Sequence, residues 1–289
     1  MGNKLEYFIF TGFGLFFKLI GLKLSRKFSR FIAFVFYHLI PIRKDVTLKN
    51  IRIAFPDYPE SKIKQIAYGC YKSFALTLAE ILYMPSMSRE RIEHAIDYPN
   101  LDFIKSKYEE KNGVILLSAH FGNWEYMAAS MGVQLNIPLS VIVKSQRNPF
   151  VTKWLNDMRA AWGNKVVPLG ISIRQVYKEL MDKNIVALVA DQRGPEDGIR
   201  VKFFGRQTAV YPGPVALALK TNAPILYGIS VRQPDNTYKA VFEEISKEDL
   251  PEGEEEQIKE LSRRHMACLE DYVRRYPEQW LWMHNRWKY

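Results

Sequence analysis

Four apolar residues, Val114-Ile115-Leu116-Leu117, run directly into Ser118-Ala119-His120-Phe121-Gly122-Asn123-Trp124-Glu125. So short an apolar run fits a strand buried on both faces, as strands of a parallel sheet are. Gly122-Asn123 supplies a turn, and Asn123 is a favourable N-cap for a helix beginning at Trp124. The break between strand and helix has a chemical consequence. On an unbroken helix His120 and Glu125 would point about 140° apart. A strand–turn–helix break lets the chain fold back and bring the two side chains together. Glu125 falls in the first helical turn, where the helix dipole keeps a carboxylate charged. A charged carboxylate facing an imidazole orients it and stabilises its protonated form, which makes a general base for a hydroxyl proton. The plainer alternative is a histidine satisfied within the fold beside a helix-start glutamate. A zinc-protease site is disfavoured, because the chain has no His-Glu-x-x-His string.

Beyond this stretch, strand and helix patterns alternate. Strands are predicted at Leu139–Val143, Lys165–Pro168, Ile185–Ala190, Ile225–Val231 and Tyr238–Ile245. Helices are predicted at Phe150–Trp162, Ile171–Asp182, Pro212–Thr221 and Glu254–Arg275, with a long earlier helix at Ser61–Met84. The alternation argues for an α/β layer fold with a largely parallel sheet flanked by helices. Ligands in such sheets sit beyond the carboxyl ends of the strands. His120 and Asp191 both follow predicted strands, so one crevice can hold both.

The N-terminus carries a different pattern. Of the 17 phenylalanines, Phe8, Phe10, Phe13, Phe16, Phe17, Phe28, Phe31, Phe34 and Phe36 precede residue 37, interleaved with Lys18, Lys23, Arg26, Lys27 and Arg30. That aromatic density exceeds what an ordinary solvated helix carries. A spanning helix needs about 20 mostly apolar residues, and Lys18 interrupts the first run. A signal peptide fits poorly, since no small-x-small cleavage site is evident. The reading is a retained membrane anchor over residues 1–44, either one marginal span or a helix pair in the interface, ahead of a catalytic domain at residues 45–289. A buried helical hairpin is the competing arrangement.

With 41 Lys+Arg against 31 Asp+Glu, the chain has a net charge of +10, which favours anionic partners. A nucleic-acid binder would need basic stripes on exposed elements; here basic residues cluster among aromatics near the anchor, which suits an anionic bilayer. Cys70 and Cys268 form neither a disulfide framework nor a metal-ligand cluster.

Four stretches, in order, resemble the late acyltransferases of lipid A biosynthesis, the Kdo-dependent lauroyl and myristoyl transferase family. They are HFGNWE at His120–Glu125, LVADQRG at Leu188–Gly194, the run Val201–Ile225, and PEQWLWMHNRWK at Pro277–Lys288. Arg193-Gly194 departs from the aromatic and further acid usual after the family's DQ or DHD turn, which bears on the acceptor more than on the reaction. The resemblance implies a glycerolipid-acyltransferase-like fold. It also implies fatty acyl transfer from acyl carrier protein to a hydroxyl of a lipid A precursor, at the cytoplasmic face of the inner membrane. His120 is then the base and Glu125 its partner. Arg159, Asp191 and Arg286 are candidate substrate-binding residues: Arg159 toward the oxyanion, Asp191 toward a cation or the acceptor, Arg286 toward phosphate or the carrier protein. No metal or other cofactor is expected, because a thioester is already activated. Chain length is expected to follow the depth of an apolar slot. Other acceptors, such as a phosphatidylinositol mannoside, and an inactive lipid-binding homologue remain open.

Overall fold

A computed structural model describes residues 2–169 and 173–288. In chain order come α1 (Gly2–Phe34), α2 (Lys44–Ala54), α3 (Glu60–Tyr83), α4 (Arg89–Glu93), α5 (Leu101–Glu109), β1 (Val114–Ser118), α6 (Trp124–Leu135), β2 (Leu139–Val143), α7 (Pro149–Ala161), β3 (Lys165–Pro168), α8 (Ile173–Met181) and β4 (Ile185–Val189). Then follow β5 (Arg200–Phe203), β6 (Arg206–Ala209), α9 (Gly213–Thr221), β7 (Ile225–Gly228), β8 (Val231–Arg232), β9 (Tyr238–Lys239), β10 (Phe242–Glu244) and α10 (Glu254–Arg275). The predicted helix start at Ile171 lies outside the described residues.

The central sheet has the order β10-β7-β1-β4-β2-β3, parallel except for β10, which pairs antiparallel with β7. Every residue of β1 is buried, as its continuous apolar run requires. Successive side chains of a strand face opposite ways. Ile115 and Leu117 therefore join one core with α2, α3, α10 and the C-terminal tryptophans, while Val114 and Leu116 join another with α4, α5 and α6.

Two predicted strands are shorter than their patterns. Ile225–Val231 divides into β7 and β8, and Tyr238–Ile245 divides into β9 and β10. β8 leaves the central sheet to pair with β9 in a separate hairpin. The Val201–Ile225 stretch opens with a further antiparallel hairpin, β5–β6.

α1 is bent sharply at Gly21, whose φ of 75° lies in the left-handed region that only glycine adopts freely. On a straight helix Phe16 and Phe28 would be about 18 Å apart; here their rings meet at 5.1 Å. Ser25 Oγ donates to the Phe17 carbonyl across the bend at 3.2 Å. The first limb lies on α7, with Phe10 edge-on to Trp154 at 5.0 Å and Tyr7 against Phe150 at 5.7 Å. The second limb buries Ser25, Ser29 and Ala33. The helix and the π-turn that continues it, Gly2–Leu39, are long and apolar enough to cross a membrane. Phe8, Leu19 and Phe31 stand 68%, 75% and 59% exposed, which is the mark of a surface that meets something apolar.

Candidate active site

β1 and β4 are neighbours, and Ser118 pairs with Val189 at their carboxyl ends. His120 and Asp191 each follow that rung by two residues. The sheet therefore delivers both side chains to one place. Asp191 Oδ1 contacts His120 Nδ1 at 2.8 Å, and Oδ2 accepts the His120 backbone N–H at 3.0 Å. Trp280 Nε1–H, from the C-terminal segment, donates to Oδ2 at 2.9 Å. A carboxylate only accepts, so His120 carries its proton on Nδ1 and presents the basic lone pair at Nε2. Asp191 is 3% exposed, whereas the His120 side chain is 19% exposed.

Electrostatics reinforce the pair. Burial opposes charge on the imidazole. The Asp191 charge and hydrogen bond, together with the Glu125 charge, outweigh burial and the Arg159 cation, and hold the His120 pKa above its ordinary value. Burial likewise opposes charge on Asp191, but the His120 charge and hydrogen bonds from His120 and Trp280 bring it down to about 2. The imidazole is thus oriented by a carboxylate that stays ionised.

This corrects the expected dyad. Glu125 is five residues from His120 and the break does fold the chain back, but the carboxylate that contacts the ring belongs to Asp191. Glu125 is instead held by Arg159, with Nε–H donating at 2.9 Å and Nη2–H at 2.6 Å. Its charge still reaches His120. Arg159 also reaches Asn156 Oδ1 at 3.2 Å, so three of its N–H groups are engaged within the protein. Arg286 needs a second correction. It is 1% exposed, donates to the Ala209 carbonyl at 2.6 Å, and lies over the Phe203 ring, so phosphate or carrier protein cannot reach it. Trp280, Trp282 and Trp287 are all buried; Trp282 and Trp287 pack in the core, while Trp280 also holds Asp191.

The turn between His120 and α6 is tightly built. Gly122 has φ 56°, and a Cβ there would come within 1.9 Å of the Ser230 carbonyl oxygen. Asn123 caps α6 as expected, its Oδ1 accepting the Tyr126 N–H at 3.0 Å. Thr77 Oγ1 donates to the Gly122 carbonyl at 2.6 Å, and the Gly122 N–H donates to the Gln279 carbonyl at 3.1 Å. The Trp124 ring stands edge-on to His120 at 4.9 Å.

His120, Trp124, Cys70, Phe74, Thr77 and Leu281 are among the residues lining a crevice of about 10 Å³. That is roughly room for one water molecule. Among the described residues no cluster of three or more His, Cys, Asp or Glu side chains is arranged to hold a metal ion.

A partly exposed histidine, held by a buried carboxylate beyond the carboxyl edge of a mostly parallel sheet, has the geometry to accept a proton from a hydroxyl. Residues 3–289 match the family of bacterial lipid A biosynthesis acyltransferases, and the chain belongs to that family. The protein is accordingly an acyltransferase of groups other than aminoacyl groups. It is 24% identical to the phosphatidylinositol mannoside acyltransferase of Mycolicibacterium smegmatis, over 80% of this chain and 74% of that one. It is 23% identical to the lipid A biosynthesis palmitoleoyltransferase of Escherichia coli, and 22% identical to the lauroyltransferase of the same organism. Both matches cover 85% of this chain and 79% of the relative.

Proposed function

We propose that this enzyme transfers a fatty acyl group from acyl carrier protein to a hydroxyl of a lipid A precursor, with His120 as general base. The observation that carries the reading is the Asp191–His120 contact at 2.8 Å, which leaves Nε2 as the basic nitrogen. Nε2 takes the acceptor proton as the hydroxyl oxygen attacks the thioester carbonyl. The imidazolium formed is stabilised by Asp191, and it returns the proton as the thiolate departs. Glu125, neutralised in part by Arg159, adds to the field favouring that imidazolium. No metal or other cofactor enters the reaction, because the thioester supplies the activation.

The fatty chain is taken up along the open side of the crevice. There Phe74 lines it, and the 38%-exposed Leu78 lies one turn further along α3. Residues 1–44 hold the catalytic domain, residues 45–289, to the cytoplasmic face of the inner membrane. The bend at Gly21 and the docking of the first limb on α7 favour a helix pair lying in the interface over a straight span. The net charge of +10 suits an acidic carrier protein and an anionic acceptor lipid, and no nucleic acid is involved.

Purified protein given acyl carrier thioesters and a Kdo-bearing tetra-acylated acceptor is expected to yield a penta-acylated product by mass spectrometry. His120→Ala is expected to abolish it. Retention of more than about a tenth of the rate in that variant would remove the base. A second acceptor belongs in the same assay. The match to a phosphatidylinositol mannoside acyltransferase is as strong as those to the lipid A enzymes, and product from a mannosylated inositol lipid alone would reassign the acceptor while keeping the chemistry.

A further inference from the structure

Glu80 is a completely buried carboxylate that the acyl-transfer chemistry does not use. It sits on α3 in a polar stripe with Ser73 and Thr77, spaced to share one helix face. Its two oxygens face different ways. Oε1 accepts from Arg26 Nε at 2.8 Å and pairs with its Nη2 at 2.8 Å; Arg26 belongs to the second limb of α1. Oε2 accepts from Asn123 Nδ2 at 3.0 Å and from the Tyr238 hydroxyl, with Arg232 Nη2 3.8 Å away. Asn123 is the α6 cap and follows the turn that begins at His120. Its backbone N–H donates to Ser230 Oγ at 3.1 Å.

The stripe grips the same turn a second time. Thr77, one helical turn before Glu80, donates to the Gly122 carbonyl at 2.6 Å. Arg232 then donates to Thr77 Oγ1 at 2.7 Å and to Ser73 Oγ at 2.8 Å. The cations serve one buried anion. Lys23, Lys27 and Arg30 surround Arg26 in the basic part of α1, yet Arg26 turns inward and is only 23% exposed. A buried carboxylate without its cation is strongly destabilised, so the seat of α1 on α3 and the shape of the turn are energetically joined.

We infer that Glu80 is a positioning residue: it couples the membrane-facing helix α1, through Arg26, to the Gly122-Asn123 turn that aims His120. The inference rests on the acyltransferase reading for its kinetic consequence, but not for its structural one. Loosening Arg26 frees one end of the carboxylate, relaxes its hold on Asn123, and lets the His120 end of the turn wander.

The test compares Glu80→Gln, Arg26→Met, their double variant and Arg26→Lys in the full-length protein on anionic vesicles. Arg52→Ala, which breaks the exposed Arg52–Glu60 pair, is the control. Steady-state kinetics are read beside amide hydrogen exchange over residues 120–126. Glu80→Gln and Arg26→Met are each expected to lower kcat about tenfold with KM changed less than about twofold, and the double variant to be no worse than either. Exchange in the turn is expected to quicken about fivefold or more in each, and Arg26→Lys to recover most of both losses. Wild-type kcat in folded Glu80→Gln, multiplicative losses in the double variant, or unchanged exchange would each overturn the coupling. If Glu80→Gln does not fold, Arg26→Met against Arg26→Lys decides, and equal values in those two reject it. Absence of acyl transfer by the wild-type protein would instead overturn the proposed reaction, and the exchange measurement would still decide the coupling.

Discussion

His120 and Asp191 stand two residues beyond the same rung of the sheet, Ser118 paired with Val189, and meet at 2.8 Å. The separation of the base from its orienting carboxylate is therefore set by the spacing of two adjacent parallel strands. Asp191→Asn keeps the shape and removes the charge. On the proposed mechanism the base works unprotonated, so rate is expected to rise with pH through the His120 pKa, which lies above the ordinary imidazole value. Without the Asp191 charge that pKa falls, so the acid limb of the kcat/KM profile is expected to move to lower pH. At its plateau kcat is expected to drop by about 10²–10⁴, as the tautomer is no longer enforced. A limb at its wild-type position would deny Asp191 this role.

Arg159→Met predicts a shift of opposite sign. The Arg159 cation lowers the His120 pKa and Glu125 raises it, so removing the cation alone is expected to move the acid limb upward. The ion pair is buried, with side chains 13% and 6% exposed. Leaving Glu125 without its partner is expected to cost about 3–5 kcal/mol. Glu125→Gln, which strands Arg159 instead, is expected to move the limb down. Denaturant midpoints and pH–rate profiles of the two variants check both signs.

Gly122→Ala tests the turn. Its added carbon meets the Ser230 carbonyl at 1.9 Å in a left-handed backbone conformation. Backbone cannot give way as a flexible side-chain tip does, so loss of activity exceeding about a hundredfold is expected, with a lowered melting temperature. A folded, fully active variant would show that the turn is not what aims His120.

Acid stability depends on two other histidines. Burial, with a smaller push from Arg286, takes His265 down to about 4, and burial does the same to His284. Below the ordinary imidazole range the unfolded chain binds protons that the folded one refuses. Stability is therefore expected to fall as pH drops from about 6.5 toward 4. His265→Phe removes one of these sites and is expected to flatten the fall in melting temperature between pH 7 and pH 5. An equally steep fall would place the acid sensitivity elsewhere.

Arg286→Met separates packing from substrate recognition. The guanidinium satisfies the Ala209 carbonyl from a buried position, so the variant is expected to lose roughly 1–3 kcal/mol of stability. KM for a phosphorylated acceptor is expected to stay within about twofold. A KM rise of about tenfold or more at unchanged stability would return Arg286 to the substrate.

The fully buried strands and the long helices could be read from the chain because burial leaves a periodic mark. β2, β3 and α10 have their predicted bounds, and Asn123 caps α6 as its position implied. Partner choice left no such mark. His120 lies near Glu125 in sequence, yet its ring is held by Asp191, 71 residues away. Only the adjacency of β1 and β4 brings those two together, and strand order is a tertiary property. The one available hint was that both residues follow buried strands. Arg286 misled for a related reason: arginine is seldom interior, and nothing local announces the Ala209 carbonyl it serves. The breaks that split β8 from β7 and β9 from β10 escaped notice because a two-residue strand has no period to detect.

The bend at Gly21 has a mechanical consequence. A straight helix of this length would form a rod of about 50 Å, able to tether the enzyme at any angle to the lipid. Folded into a V, the same residues present a broad apolar surface to which the exposed Phe8, Leu19 and Phe31 contribute. On the proposed interfacial anchoring, such a surface would fix tilt as well as attachment and hold the crevice at a constant attitude toward the acceptor's headgroups.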